Sequence, residues 1–259
     1  MSTDVSTGPE PTQPGLTGVV VPCFNEAARL DGAALREVAT VADRVVLVDD
    51  GSTDATAARL AELAAGMPGA EVLELVTNRG KGEAVRHGLR ALAADCAVVG
   101  YLDADLATPV AELRRLKDVL AARPDCQAVL ASRVALLGHS VQRRAVRHYL
   151  GRLYATGASL ALGVPVYDTQ CGAKLFRTND ALRSALAVPF PDRWSFDVEL
   201  LARLLHPANG VTPVRPDELL ELPLTEWRDV AGSKLRPLDA VRSLAALAGV
   251  RRRIRARTG

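Results

Sequence analysis

From Gly18 onward the chain alternates short runs of apolar, largely β-branched residues with longer stretches whose apolar positions recur every three or four residues. Residues 18–22, 44–49, 71–76 and 97–102 read as continuous apolar runs, the pattern of strands covered on both faces. Between them, residues 28–41, 54–65 and 82–94 are rich in Ala and Leu at helical spacing. A strand–helix series of this kind predicts an α/β fold with a mostly parallel sheet and helices on both faces. Such sheets take their ligands at the carboxyl ends of the strands.

The residues just after each strand are therefore informative. The first strand leads into Cys23-Phe24-Asn25-Glu26 and the second into Asp49-Asp50-Gly51-Ser52-Thr53-Asp54. The third leads into Asn78-Arg79-Gly80-Lys81-Gly82 and the fourth into Asp103-Ala104-Asp105, with Thr108-Pro109 as a cap and first-turn pair for the next helix. Each piece alone is ordinary turn chemistry. Four in succession at one sheet edge predict a site.

Asp103 and Asp105 are two carboxylates one residue apart at the end of a central strand. They suit a hard divalent cation, Mg²⁺ or Mn²⁺, shared with a substrate's phosphates. The glycines around Lys81 let backbone approach an anion, with Arg79 and Lys81 supplying charge. The GxxxxGK[ST] spacing is missing, which excludes a Walker-type ATPase. Asp49 and Asp50 are placed to accept from a base or ribose, and Asp54 reads as a helix cap.

Composition adds limits. Apolar residues make up 48% and charged residues 24%, which excludes wholesale disorder. A net charge of +2 excludes a nucleic-acid binder that works by bulk charge. Cys23, Cys96, Cys126 and Cys171 form no metal-ligand spacing and read as buried thiols in a reducing compartment. Residues 1–16 show no signal pattern and read as a disordered tail. The longest charge-free apolar stretch, 153–167, is 15 residues and too short to span a bilayer. Residues 235–259 read as a basic amphipathic helix, with Leu238, Val241, Leu244, Ala245 and Ala248 on one face and five arginines after them. That helix suits an anionic membrane surface, or equally a docked terminal helix.

The motifs VVVPCFNE, VLVDDGSTD, NRGKGEAVRHG and YLDAD, in this order, resemble the nucleotide-sugar-binding half of family 2 glycosyltransferases. ASR, DTQCGAKLF, RWSFDVELL, and EW with GSK further on resemble the dolichyl-phosphate β-glucosyltransferase branch. The resemblance implies a GT-A fold over residues 17–234. It implies that Pro22, Glu26 and Asp49 bind the base of a nucleotide sugar, UDP-glucose in this branch, with its diphosphate at Asp103 and Asp105. The related polyprenyl-phosphate mannosyltransferases carry a Gln ligand two positions after the second Asp; Ala107 stands there in this chain and cannot ligate.

Charge points to the acceptor. Residues 127–167 contain no Asp or Glu but five arginines, which suits a phosphate monoester. Arg133, matching the family's Ser-Arg, and Arg147 and Lys234 are the expected contacts to a polyprenyl phosphate. A phosphate attacks without a strong general base, and direct displacement inverts the sugar's anomeric carbon. Asp197 and Glu199 are expected to contact sugar hydroxyls or to order Arg193, and Asp168 is a further neighbour of the site. The alternatives are a hydroxyl acceptor, with Asp197 as base, a mannose donor, and a catalytically silent nucleotide-sugar-binding protein at the membrane. The expected location is the cytoplasmic face of the cell membrane, as a peripheral protein.

Overall fold

The structure, a computed structural model, describes residues 15–142, 145–193, 195–230 and 237–258. A seven-stranded sheet runs through it. Its strands are β1 (Thr17–Cys23), β2 (Arg44–Asp49), β3 (Ala70–Glu74), β4 (Val98–Leu102), β5 (Ala128–Ser132), β7 (Ala173–Arg177) and β8 (Leu219–Pro223). Their order is β3-β2-β1-β4-β7-β5-β8, and all pairings are parallel except those of β7, which lies antiparallel between β4 and β5. A separate parallel ribbon joins β6 (Ser140–Gln142) to β9 (Glu226–Arg228).

The sheet divides the core into two. On one side α1 (Gly32–Val38), α2 (Thr56–Ala65) and α4 (Val110–Ala122) pack on Val19, Val21 and Leu47. On the other, α3 (Lys81–Leu92), α5 (Ala145–Leu162), α6 (Asp180–Ala187), α7 (Phe196–Leu205) and α8 (Pro237–Thr258) cover Val20, Val46 and Val48. Successive β1 residues thus enter opposite cores, which is why the run VVV contains no polar position. All four cysteines are buried.

Three expectations need correction. Residues 71–76 are not covered on both faces: β3 is an edge strand, Glu71 and Glu74 reach solvent, and Val76 is exposed. The first helix starts at Gly32 rather than residue 28, because Asp31 caps it by accepting from the N–H groups of Ala33 and Ala34, both at 3.1 Å. Thr108 does not cap α4. It is buried with its hydroxyl 3.9 Å from Cys171 Sγ, and Pro109 takes the cap position.

The C-terminal helix is docked. α8 packs on α5 and α7 through Ser243, Leu247 and Val250, whereas Ala245 and Ala248, expected on its apolar face, are exposed. Buried Glu199 sets this rotation: Arg253 Nη2 lies 2.8 Å and Arg257 Nη2 3.6 Å from its carboxylate. No helix among the described residues is long and apolar enough to cross a membrane. At the other terminus, the Leu16 carbonyl accepts from Ala97 and Val98 N–H, so residues 15 and 16 already lie against β4; residues 1–14 fall outside the described residues.

Candidate active site

The loops after β1, β2, β3 and β4 are joined by direct hydrogen bonds. Asn25, at a φ of +50°, donates from its backbone to Ser52 Oγ and accepts from Thr53 N–H through its side chain. Asp49 accepts from Ser52 N–H at 3.2 Å. Asp54 is not the cap of α2 as expected, since Ala55 takes the cap position; it accepts from Thr56 N–H in the first turn and from Ala27 N–H in the β1 loop. Asp50 holds the next loop by accepting from Asn78 Nδ2, Arg79 N–H and Gly80 N–H at 2.8–2.9 Å. Burial pushes the Asp50 carboxyl above its ordinary value, and these backbone donors work against that rise. Its carboxylate therefore organises the glycine loop. Arg193 clamps the same loop from outside, donating to the Asn78 and Arg79 carbonyls.

Lys81, the first residue of α3, reaches the tip of β4, where its Nζ lies 2.6 Å from Asp103 Oδ1 and 2.9 Å from Oδ2. Burial raises the Asp103 carboxyl, Lys81 lowers it, and Asp105 and Asp197 raise it further. Burial also opposes the Lys81 charge, but Asp103, Asp197 and Asp105 together hold that ammonium above its ordinary value. The Asp105 side chain is exposed beside this pair and accepts from Ala107 N–H at 3.1 Å, across a turn with Leu106 at a φ of +49°. Acid exceeds base here. Two hard carboxylates, one already neutralised by an ammonium, fit a divalent cation that takes its remaining ligands from a diphosphate and water. Among the described residues no third His, Cys, Asp or Glu joins them.

The floor of the site comes from Gly172, Lys174 and Tyr101, for which the sequence suggested no role, and from Asp197, for which it suggested a different one. Asp103 N–H donates to the Gly172 carbonyl at 2.9 Å, and a methyl group on Gly172 would overlap the Asp103 carboxylate. Gly172→Ala is expected to cost about 1–3 kcal/mol of stability by overpacking. It is also expected to lower transfer roughly a hundredfold by displacing Asp103. Thermal melts and initial rates check both; a wild-type rate would mean that Asp103 need not sit where it does. Below Gly172, Lys174 is buried in β7 and donates to Tyr101 Oη at 2.7 Å, Asp197 Oδ1 at 2.9 Å and the Cys171 carbonyl at 2.7 Å. Tyr101 in turn donates to Asp197, and burial together with that carboxylate pushes its hydroxyl well above its ordinary value.

These contacts correct two expectations. Asp197 is sealed under the sheet edge, so it neither meets a sugar nor orders Arg193, and a hydroxyl acceptor loses its candidate base. Glu199 faces α8 and Arg203 instead. Arg133 leaves the tip of β5 and is gripped by Asp168, which accepts from its Nε at 2.6 Å, its Nη2 at 2.8 Å and its backbone N–H at 3.0 Å. The Trp227 ring lies 5.4 Å from the guanidinium. Burial opposes the charge on Arg133, and Asp168 more than restores it. Pro22, Glu26, Arg79 and Asp49 also stand at this edge of the sheet. The Arg147 side chain and Lys234 lie outside the described residues.

Comparisons with known proteins agree with this geometry. The Glycosyl transferase family 2 profile matches residues 18–183. A dolichyl-phosphate beta-glucosyltransferase of Drosophila melanogaster is 32% identical over 85% of this chain and 69% of its own length. The Homo sapiens protein of that name is 30% identical over the same shares. Among solved structures, glucosyl-3-phosphoglycerate synthase from Mycobacterium tuberculosis, in complex with Mn²⁺ and UDP, superposes with a TM-score of 0.64 at 21% identity, covering 92% of this chain and 80% of its own. Mannosyl-3-phosphoglycerate synthase from Rubrobacter xylanophilus gives 0.64 at 19% identity, covering 93% and 75%. These last two share the GT-A fold. With its strand-end loops, its Asp103-Ala104-Asp105 turn and these relatives, the chain belongs to glycosyl transferase family 2.

Proposed function

We propose that this protein transfers glucose from UDP-glucose to a polyprenyl phosphate, with inversion, at the cytoplasmic face of a membrane. The observation that carries the reading is the Asp103–Lys81 pair with Asp105 exposed beside it, on the sheet edge that also presents Arg133. The beta-glucosyltransferase relatives support the choice of sugar and acceptor.

In this reading Pro22, Glu26 and Asp49 hold the base and ribose, while Asp50 acts through the loop it organises. Lys81 and Arg79 meet the donor diphosphate. Mg²⁺ or Mn²⁺ held by Asp103 and Asp105 would supply the positive charge that stabilises the departing nucleoside diphosphate. Arg133, oriented by Asp168, offers its remaining guanidinium hydrogens to the acceptor phosphate. Because that phosphate is largely dianionic at neutral pH, the site has only to align it with the sugar's anomeric carbon. A sealed Asp197 is consistent with chemistry that needs no strong base.

Purified protein incubated with radiolabelled UDP-glucose and a polyprenyl phosphate is expected to give labelled lipid, to stop with EDTA and to resume with Mg²⁺ or Mn²⁺. Lipid labelling that persists after complete metal removal, or labelling from GDP-mannose alone, would contradict the reading.

A further inference from the structure

Just beyond Arg133 the chain makes a braced turn that puts apolar surface into solvent. His139 N–H donates to the Leu136 carbonyl at 3.1 Å and Gly138 adopts a φ of +82°. Leu136 is 45% exposed and Leu137 wholly so. The base of the turn is fixed: His139 Nδ1 lies 2.8 Å from the Leu224 carbonyl, and Ser140 N–H donates to the Thr225 carbonyl at 2.8 Å. From there β6 pairs with β9, and the N–H groups of Thr225 and Glu226 end on buried Glu112 at 2.9 and 3.1 Å. Arg228 N–H donates to the Ala107 carbonyl at 3.2 Å, in the loop that carries Asp105. The exposed leucines are thus tied to the same edge as the candidate catalytic groups.

A single exposed leucine is ordinary on a soluble surface. Two adjacent ones at the tip of a turn with a fixed base gain nothing from water. They also stand in a segment, 127–167, with five arginines and no carboxylate, so nothing in its sequence repels an anionic surface. An apolar tip within a stretch of sequence rich in arginine and free of carboxylates matches the headgroup–acyl boundary of an anionic bilayer. We propose that the 136–139 turn is a foot that inserts into an anionic bilayer and holds the Asp103–Arg133 edge against its headgroups. This rests on the lipid-acceptor reading and names the element that would bring the site to the lipid, a task for which α8 is less suited because Arg253 and Arg257 are engaged with Glu199.

Flotation with phosphatidylcholine vesicles containing phosphatidylglycerol, and no polyprenyl phosphate, reads the contact without any turnover. The wild type is expected to float, and the Leu136→Asp/Leu137→Asp variant to bind about tenfold more weakly or worse. Leu160→Asp, on the exposed face of α5, is expected to float like the wild type. A wild type that stays at the bottom, or a double variant that floats unchanged, would overturn the proposal; so would a loss confined to Leu160→Asp. In vesicle-free buffer with a short, water-soluble polyprenyl phosphate, the double variant is expected to transfer glucose at the wild-type rate. An equal loss there would place the leucines in the active site and also overturn the foot. Absence of transfer by the wild type in that buffer would count against the glucosyl reading alone, with flotation still deciding the foot.

Discussion

Asp105→Ala is expected to lower glucosyl transfer by about three orders of magnitude while leaving the melting temperature nearly unchanged. The two effects separate because of where the side chain stands. Asp105 is exposed at a turn, and its bond to Ala107 N–H is one that water can replace, so the stability cost stays within about 0.5 kcal/mol. Its loss nevertheless removes one of two anionic ligands from the proposed cation site. Asp103→Ala would be a poorer test, since it also strands the Lys81 ammonium and empties the space beside Gly172. Initial rates with radiolabelled donor, paired with thermal melts, check the prediction. An Asp105→Ala protein retaining a tenth of wild-type turnover would contradict the assignment.

The largest stability effect is expected below the site. Lys174→Ala leaves the Asp197 carboxylate buried without its ammonium, and breaking a buried pair from one side costs about 3–5 kcal/mol. For a chain of this size that corresponds to a fall in Tm of roughly 6–20 °C. Replacing the group as a whole, by Lys174→Met with Asp197→Leu and Tyr101→Phe, is expected to recover most of the loss, because no charge then remains to be buried. Calorimetry distinguishes the two. A single Lys174→Ala variant that melts like the wild type would mean that the network contributes little.

The central strands were legible because both of their faces are covered: VVV in β1 and VVLV in β2 have no solvent side to mark with polar residues. The same rule misjudged residues 71–76, where Glu71 and Glu74, three apart and so on opposite faces of the strand, are the mark of an edge. Placement of the polar loops came from topology, since parallel strands deliver their ends to one side. Their division of labour did not. Asp49 and Asp50 are adjacent in sequence, yet only the fold shows that Asp50 accepts from the loop at 78–80. Asp197 looked like a site carboxylate because its partners, Tyr101 and Lys174, are remote in the chain. A lysine inside the apolar run AKLF was the available signal, since a buried ammonium requires a buried acid. The three-residue strands β6 and β9 carry too little pattern to be read at all.

The antiparallel placement of β7 has a consequence for the order in which the molecule can form. As the chain leaves the ribosome, β1 to β4 can pair as soon as they emerge, but the outer edge of β4 waits for residues 173–177. β5 waits longer, since both of its neighbours are synthesised after it. The Asp103 turn therefore takes its final shape only when Gly172 arrives beside it, so competence for catalysis is acquired late, with the closing of the sheet rather than with its nucleation.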